Sequence, residues 1–202
     1  MKRLSNLANF SIKYQIVLAN INKMQKIYFL MTCLFVLQFA ATAQSLTASD
    51  AESNVSFVIK NIGINVNGTL SGLKGKMYFD PKNLNSSSFD MTVDVNTINT
   101  NNTKRDNHLK TDDFFDAAKF PVIHIKTTKI VSKGGNNYAA SAILTIKNVS
   151  KNISFAFVAK PSAAGYTFTG GFTINRRDFG VGGSSMIMSD HVKVDLMVVA
   201  KR

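Results

Sequence analysis

The stretch SFDMTVDVN, residues 88–96, alternates polar and apolar side chains at every position. Because successive side chains of a strand point to opposite faces, this alternation gives an extended chain one apolar face and one polar face. The apolar face consists of Phe89, Met91, Val93 and Val95. The stretch therefore predicts a β-strand that is buried on one side and solvated on the other.

The same alternation recurs on both sides of this stretch, in seven further runs separated by turn residues. These runs are 55–59, 77–79, 123–125, 138–147, 153–157, 166–174 and 192–198. They follow one another without long helices, which predicts about eight or nine antiparallel strands in a single all-β domain. Residues 99–120 are polar and lack alternation, so we predict a short helical excursion near 101–118.

A sheet with one apolar face can close into a barrel that has an apolar interior, a solvent-exposed exterior and no free edge. We predict such an antiparallel barrel of about eight strands. An outer-membrane barrel requires apolar residues on its outside. Lys60, Lys126 and Asp195 fall on the outward-facing set here, and they argue against lipid contact around the barrel wall.

The N-terminal segment has the features of a secretory signal. Lys26 precedes an uncharged run, residues 27–43, that ends in Ala41-Thr42-Ala43. This pattern predicts a signal peptide over residues 1–43, cleavage after Ala43 and export to the periplasm. A transmembrane anchor is the alternative, because the run sits at the lower length limit for a span. Residues 1–23 are either a long n-region or an over-extended start, and we favour Met24 as the initiator.

The charge balance changes when residues 1–43 are set aside. The whole chain carries a formal charge of +12, whereas residues 44–202 carry 19 cations against 12 acids, a net of +7. A moderately basic domain suits an anionic head group or a membrane surface. The cations are scattered rather than striped, so we predict no nucleic-acid partner. Cys33 lies in the apolar run, which leaves the domain from residue 44 without thiol chemistry.

The inward-facing set contains no acid or base arranged for chemistry, so we predict no catalytic residue and no metal site. A barrel of about eight strands is either filled by its own side chains or wide enough for one small ligand. Both interpretations stay open at this level. The candidate pore-lining residues are Phe57, Ile59, Phe79, Met91, Val93, Ile125, Leu144, Phe155, Phe157, Phe168, Phe172, Val194 and Leu196.

Two further segments carry a family resemblance. They are NTNNTKRDNHLKTDDFFD, residues 99–116, followed by Phe120-Pro121, and TINRRDFG, residues 173–180. In order and spacing they resemble the YceI-like family, exported bacterial proteins described as polyisoprenoid-binding. The likeness runs from residues 53–63 to the end of the chain. It implies a lipocalin-like barrel over residues 44–202, with an isoprenoid or another long amphiphile in a central apolar pore.

The motifs supply five residues with a predicted head-group or structural role: Arg105, Asp106, His108, Arg176 and Asp178. One hypothesis is an acid–base cluster, or a metal pair of His108 with Asp112, although metals usually need three or four ligands. We favour Arg105 and Arg176 as partners of carboxylates, because their donor forks match carboxylate geometry. The candidate carboxylates are Asp106, Asp116 and Asp178.

Such ion pairs would hold the 99–120 excursion over one barrel end. Phe114, Phe115 and Phe120 would then plug that end. Alternatively, Arg105 or Arg176 faces a pyrophosphate at the pore mouth.

These observations lead to three hypotheses of different classes. The leading one is an exported, non-enzymatic carrier that binds an isoprenoid lipid, a quinone or a similar amphiphile, with no other cofactor and no stable membrane anchor. The second is a packed barrel that acts through its loops or a homodimer face. The third is an enzyme acting on such a lipid, which we rank low because no nucleophile–base pair stands at a convincing spacing.

Overall fold

The computed structural model describes residues 22–26, 28 and 45–202. Two units are present, Met1–Thr42 and Ala43–Arg202. In the first, residues 22–26 and 28 are helical. Across the parts of the chain that the structure describes, no helix has the length and apolar character needed to cross a bilayer. Most of the predicted signal peptide, with its cleavage site after Ala43, lies outside the described residues.

The second unit is a nine-stranded antiparallel sheet that closes on itself. The strands are β1 Ser45–Ala48, β2 Asn54–Asn61, β3 Ile64–Tyr78, β4 Ser88–Asn99, β5 Val122–Gly134, β6 Asn137–Ile146, β7 Val149–Ser162, β8 Gly165–Asn175 and β9 Met188–Lys201. Their order is β1-β3-β2-β9-β8-β7-β6-β5-β4, and pairing of β3 with β4 closes the barrel. The prediction of a closed antiparallel barrel is therefore confirmed.

The barrel has eight strand positions because β1 and β2 share one of them. Leu46 of β1 pairs with Met77 of β3, and Ala48 pairs with Ala200 of β9. Beyond a 3₁₀ turn, Asp50–Glu52, β2 continues between the same two neighbours. The interruption lets Asp50 accept hydrogen bonds from the Gly72 and Leu73 amides of β3, at 3.1 and 2.7 Å.

The long strand β3 bends where it crosses β4. Its register against β4 shifts twice, between Thr69 and Ser71 and again before Lys74. Gly75 has φ 140°, and a Cβ there would stand 2.1 Å from the Asp90 carbonyl oxygen. A residue with a side chain would not allow this approach, so the bend depends on glycine.

Connections between the strands alternate between two ends of the barrel. The β3–β4, β5–β6 and β7–β8 connections lie at one end, which we call the closed end. The β2–β3 hairpin, the β4–β5 excursion, the β6–β7 turn and the β8–β9 connection lie at the other, which we call the helix end.

The helical excursion forms one short helix, Thr103–Leu109, followed by turns. The Asn102 side chain caps its start by accepting from the Arg105 amide at 3.0 Å. The helix ends earlier than the predicted excursion near 101–118. The Thr111 hydroxyl donates to the His108 carbonyl at 2.8 Å, which satisfies a terminal carbonyl and favours a stop.

Candidate functional site

A cavity of about 240 Å³ lies inside the barrel. Apolar side chains from β2 to β9 form nearly all of its wall. Twelve of the thirteen predicted pore residues line it: Phe57, Ile59, Met91, Val93, Ile125, Leu144, Phe155, Phe157, Phe168, Phe172, Val194 and Leu196. The period-two alternation thus brings these side chains to one surface, and their role in binding a ligand remains a prediction.

Phe79 differs from the prediction, since it does not line the cavity. Only 2% of it is exposed, and its ring lies edge-on to Tyr138 and Tyr166, with centroids 5.2 and 5.1 Å apart. The reason is its position, because Phe79 directly follows β3 at the closed end. It belongs to the packed floor beneath the cavity.

The floor includes the phenol of Tyr138, which is 5% exposed. Burial, followed by the neighbouring Tyr166, raises the pKa of the Tyr138 phenol, so its hydroxyl stays protonated. The described residues that line the cavity include no carboxylate, imidazole or thiol. No general acid–base pair among them faces the interior.

Two glycines shape the wall. Phe57 packs directly against Gly68, where a Cβ would stand 2.2 Å from the ring. Gly170 lies between the inward-facing Phe168 and Phe172, and its missing side chain leaves room beside Phe157. The Gly170-Gly171 pair is visible in the sequence as a break in a strand pattern. Gly68 gives no such signal in the sequence, because it is required only by the ring of Phe57, its partner on the neighbouring strand.

The excursion covers the helix end. Its Leu109, Phe114 and Phe115 line the cavity, whereas Phe120 does not. The Phe114 ring packs on Gly182, where a Cβ would stand 2.8 Å away. The Gly182 amide also donates to the Asp113 carbonyl at 3.0 Å. The excursion and the β8–β9 connection thus support each other.

Arg105 lies on the cavity wall without the predicted carboxylate partner. Its Nε and Nη2 donate to the Thr100 hydroxyl and carbonyl, both at 2.7 Å. Asp106 accepts from the Thr100 amide and hydroxyl, at 2.8 and 2.5 Å, so Thr100 stands between the two charges. Within the described part of the chain, no carboxylate lies within 4 Å of the Arg105 guanidinium.

Arg176 is a buried structural anchor, with 3% of it exposed. It donates to the Val181 carbonyl at 2.8 Å, the Ser189 carbonyl at 3.0 Å and the Asp190 carboxylate at 3.0 Å. Arg176 therefore does pair with a carboxylate, but the partner is Asp190 and none of the predicted candidates Asp106, Asp116 and Asp178. Asp178 lies exposed on the 3₁₀ turn Arg176–Phe179, so its side chain points away from the cluster that Arg176 enters.

His108 lies on the outer surface of the excursion. Its side chain is 62% exposed, its Nε2 is 3.9 Å from an oxygen of Asp113, and its ring meets Phe114 edge-on at 5.0 Å. The carboxylate beside it is therefore that of Asp113, not Asp112. In the described ranges, no group of three or more His, Cys, Asp or Glu side chains could hold a metal ion.

Comparisons with known proteins agree on one family. The family model of the YceI-like domain matches residues 46–200. A UPF0312 protein of Vibrio cholerae is 27% identical over 169 residues, which cover 79% of this chain and 88% of that protein.

Solved structures share the fold. BcnA of Burkholderia cenocepacia superposes with a TM-score of 0.71 at 26% identity, covering 75% of this chain and 98% of that one. A polyisoprenoid binding domain from Saccharophagus degradans, implicated in plant cell wall breakdown, has a TM-score of 0.64. Its identity is 17%, with coverage of 79% and 98%, so this second likeness concerns the fold alone.

Proposed function

This chain belongs to the YceI-like family, and from that premise we propose that its barrel carries or sequesters an isoprenoid lipid or a similar long amphiphile. The observation that supports this most is the apolar cavity, because a plain structural barrel of this size would fill its interior with side chains. A domain of the same fold is named for polyisoprenoid binding, so the fold is compatible with such a ligand.

The size of the cavity limits what it can hold. An apolar cavity of about 150 Å³ binds benzene. On that scale, the volume of about 240 Å³ suits on the order of ten carbon atoms. This corresponds to a short isoprenoid tail, or to one segment of a longer tail.

The same estimate shows that a tail alone binds weakly. About ten buried carbons contribute roughly 8 kcal/mol, against association costs of at least ~4 kcal/mol. The balance corresponds to about millimolar affinity. Tighter binding therefore requires a head-group contact, or further tail burial outside the cavity as it stands.

Arg105 is the residue that we propose for the head group. Its guanidinium lies on a largely apolar wall, which also includes Arg176, and has no carboxylate within 4 Å among the described residues. A phosphate or pyrophosphate would supply the missing counter-charge through short charge-assisted hydrogen bonds. Arg176 is less suited to this role, because the Val181, Ser189 and Asp190 oxygens already occupy its donors.

Binding is favoured over catalysis by the chemistry of the wall. The described lining residues offer hydroxyl, amide and guanidinium groups but no acid, imidazole or thiol. They could hold a head group, and they provide no general acid–base pair to transform it. We therefore propose a non-enzymatic carrier.

Mass spectrometry tests the proposal directly. The protein is purified without detergent from a host that exports it, and its organic extract is analysed. We expect a long-chain amphiphile in stoichiometric amount. Repeated recovery of no lipid, together with no uptake of added geranylgeranyl phosphate, would remove the carrier hypothesis.

We also propose that residues 1–43 direct export to the periplasm and are removed after Ala43. The support is the Lys26 n-region, the uncharged run 27–43 and the Ala41-Thr42-Ala43 site. The intact mass of the exported protein should correspond to a chain that begins at Gln44. A mass that retains residues 24–43 would favour the anchor instead.

A further inference from the structure

Four large apolar side chains project from two adjacent loop tips at the helix end. The exposed fractions are 69% for Ile62, 70% for Ile64 and 59% for Ile187, and Met186 is fully exposed. The Ile62 amide donates to the Ile187 carbonyl at 2.7 Å, which holds the β2–β3 hairpin against the β8–β9 connection. We call these four residues the apolar tip.

The backbone of the apolar tip is strained at Ile62. Its φ is 52°, in the left-handed region, where a β-branched residue is a genuine outlier. Asn or Gly would fit this hairpin position without strain. Folding therefore gives no reason for isoleucine here, and its exposed side chain contributes nothing to the core.

The apolar tip adjoins the cavity. Asn61 and Met188, the chain neighbours of Ile62 and Ile187, both line its wall. The tip therefore lies next to residues that line the cavity.

Basic residues lie on the outer wall to one side of the tip. Lys60, His191 and Lys193 line one shallow depression on the outer wall, beside the hairpin. Lys60 has no carboxylate within 4 Å in the described part of the chain, whereas Lys193 pairs with Asp195 and Arg177 with Asp190. Residues 44–202 as a whole carry a net charge of +7. The apolar tip and the nearby basic residues together complement a bilayer, which has an apolar acyl region beneath negatively charged head groups.

We propose that the apolar tip inserts into the interface of an anionic lipid bilayer, so that the helix end of the barrel faces the membrane. Apolar loop-tip side chains that are mostly exposed suit a fluid interface, which adapts to their shape. Four residues are far fewer than the roughly 20–30 per side of a standard protein interface, which argues against a second copy as the occupant. The inference goes beyond lipid carriage and does not require a filled cavity.

A tryptophan reporter gives the sharpest test, because the chain contains no tryptophan. Met186→Trp is mixed with vesicles of POPC and POPG at 3:1, with POPC vesicles, and with vesicles containing brominated lipid. We expect the tryptophan emission to shift to the blue on the POPG vesicles and to be quenched by the brominated lipid. Vesicles of POPC alone should give a smaller shift. Val158→Trp, on the exposed barrel wall, is the control and should show neither change.

Vesicle co-sedimentation provides the second measurement. The triple variant Ile62→Asn, Met186→Ser, Ile187→Ser should lose at least about tenfold in affinity for the POPG vesicles, because apolar burial drives interfacial binding. The matched variant Ile143→Ser, Val158→Ser, Met197→Ser removes three exposed side chains from the barrel wall and should bind as the wild type does. If the triple variant does not fold, the single change Ile62→Asn, which relieves the left-handed strain, carries the test.

Several outcomes would overturn the proposal. The wild-type protein could bind no vesicles, or bind POPC and POPG vesicles equally. The two triple variants could lose the same amount of binding. The protein could also form a concentration-dependent dimer that only the tip variant abolishes. Loading of the cavity is measured separately by lipid extraction. A protein that carries lipid but ignores vesicles would therefore refute membrane docking alone.

Discussion

The ring of Phe79 meets the ring of Phe168 edge to face, with their centroids 5.2 Å apart and their planes at 88°. Phe168 in turn lines the cavity, whereas Phe79 lies below it. The pair therefore marks the boundary between the part of the interior that is packed solid and the part that stays hollow. The two parts should respond differently to mutation.

Phe79→Ala should lower the free energy of unfolding by about 3–5 kcal/mol, because it leaves a void in a fully packed aromatic cluster. Phe57→Ala should cost less, since the Phe57 ring already borders an open space. Denaturant titration of the two variants measures the difference. Equal losses would mean that the cavity wall is as tightly packed as the floor.

Phe172→Asp should abolish uptake of prenyl lipid, because it puts a carboxylate into an apolar space where ionisation is costly. Thr173→Asp is the matched control, since the neighbouring side chain points outward. A fluorescent prenyl analogue added to both variants reports uptake. If Phe172→Asp folds and binds as well as the control does, the ligand does not enter the cavity.

The wall of the cavity was predictable because it depends on a local property. Inward and outward residues alternate along each strand, so Phe155, Phe157, Phe168 and Phe172 could be assigned without knowledge of the pairing. Phe79 broke this rule because it lies just past the end of a strand. Its ring packs against Tyr138 of β6 and against Tyr166 and Phe168 of β8, and alternation along β3 does not predict contacts with other strands.

The ion pairs were less predictable for a related reason. Both motifs place carboxylates near their arginines in sequence, which suggested Asp106 and Asp178 as partners. The strand order instead brings Asp190 of β9 to Arg176, and a buried threonine, Thr100, between Arg105 and Asp106. Pairing across a barrel depends on register, which charge spacing along the chain does not encode.

Arg176→Met should destabilise the protein by about 3–5 kcal/mol, because it removes a buried cation that three oxygens of the β8–β9 connection and β9 depend on. Asp178→Asn should change stability by less than about 0.5 kcal/mol, since that carboxylate is exposed. Thermal and denaturant unfolding compare the two. A large loss in Asp178→Asn would restore the pairing expected from the sequence.

Asp90 should stabilise the barrel at neutral pH and not in acid. Hydrogen bonds, first from His124 and then from Lys126, hold the pKa of Asp90 below its ordinary value of 3.8. The distances are 2.6 and 3.0 Å. A lowered folded-state pKa gives stability that is complete above the ordinary value and disappears as pH falls through the folded value.

Asp90→Asn should therefore cost at most about 1 kcal/mol at pH 7, because the carboxylate is partly exposed. The difference from the wild type should shrink as pH falls below the ordinary value of 3.8. Urea unfolding at a series of pH values measures it. If the stability difference between the two proteins stays constant as pH falls, the ionised Asp90 carboxylate is not the cause of that difference.

Arg105→Gln should weaken binding of a prenyl phosphate and leave binding of the uncharged prenol unchanged. The guanidinium has no carboxylate within 4 Å among the described residues, so a bound phosphate would be its main counter-charge. A hydrogen bond to a charged group contributes about 1.5–3 kcal/mol, which corresponds to a loss of about tenfold or more in affinity. Calorimetric titration with both ligands measures the two effects separately.

Arg177→Gln is the control for this prediction, because it removes an exposed cation at the same barrel end that pairs with Asp190 and does not line the cavity. It should lower neither affinity by more than about twofold, since exposed charges are strongly screened. If Arg105→Gln weakens the phosphate and the prenol equally, Arg105 acts by shaping the wall rather than by binding a head group. If it weakens neither ligand, the head group is bound by residues other than Arg105.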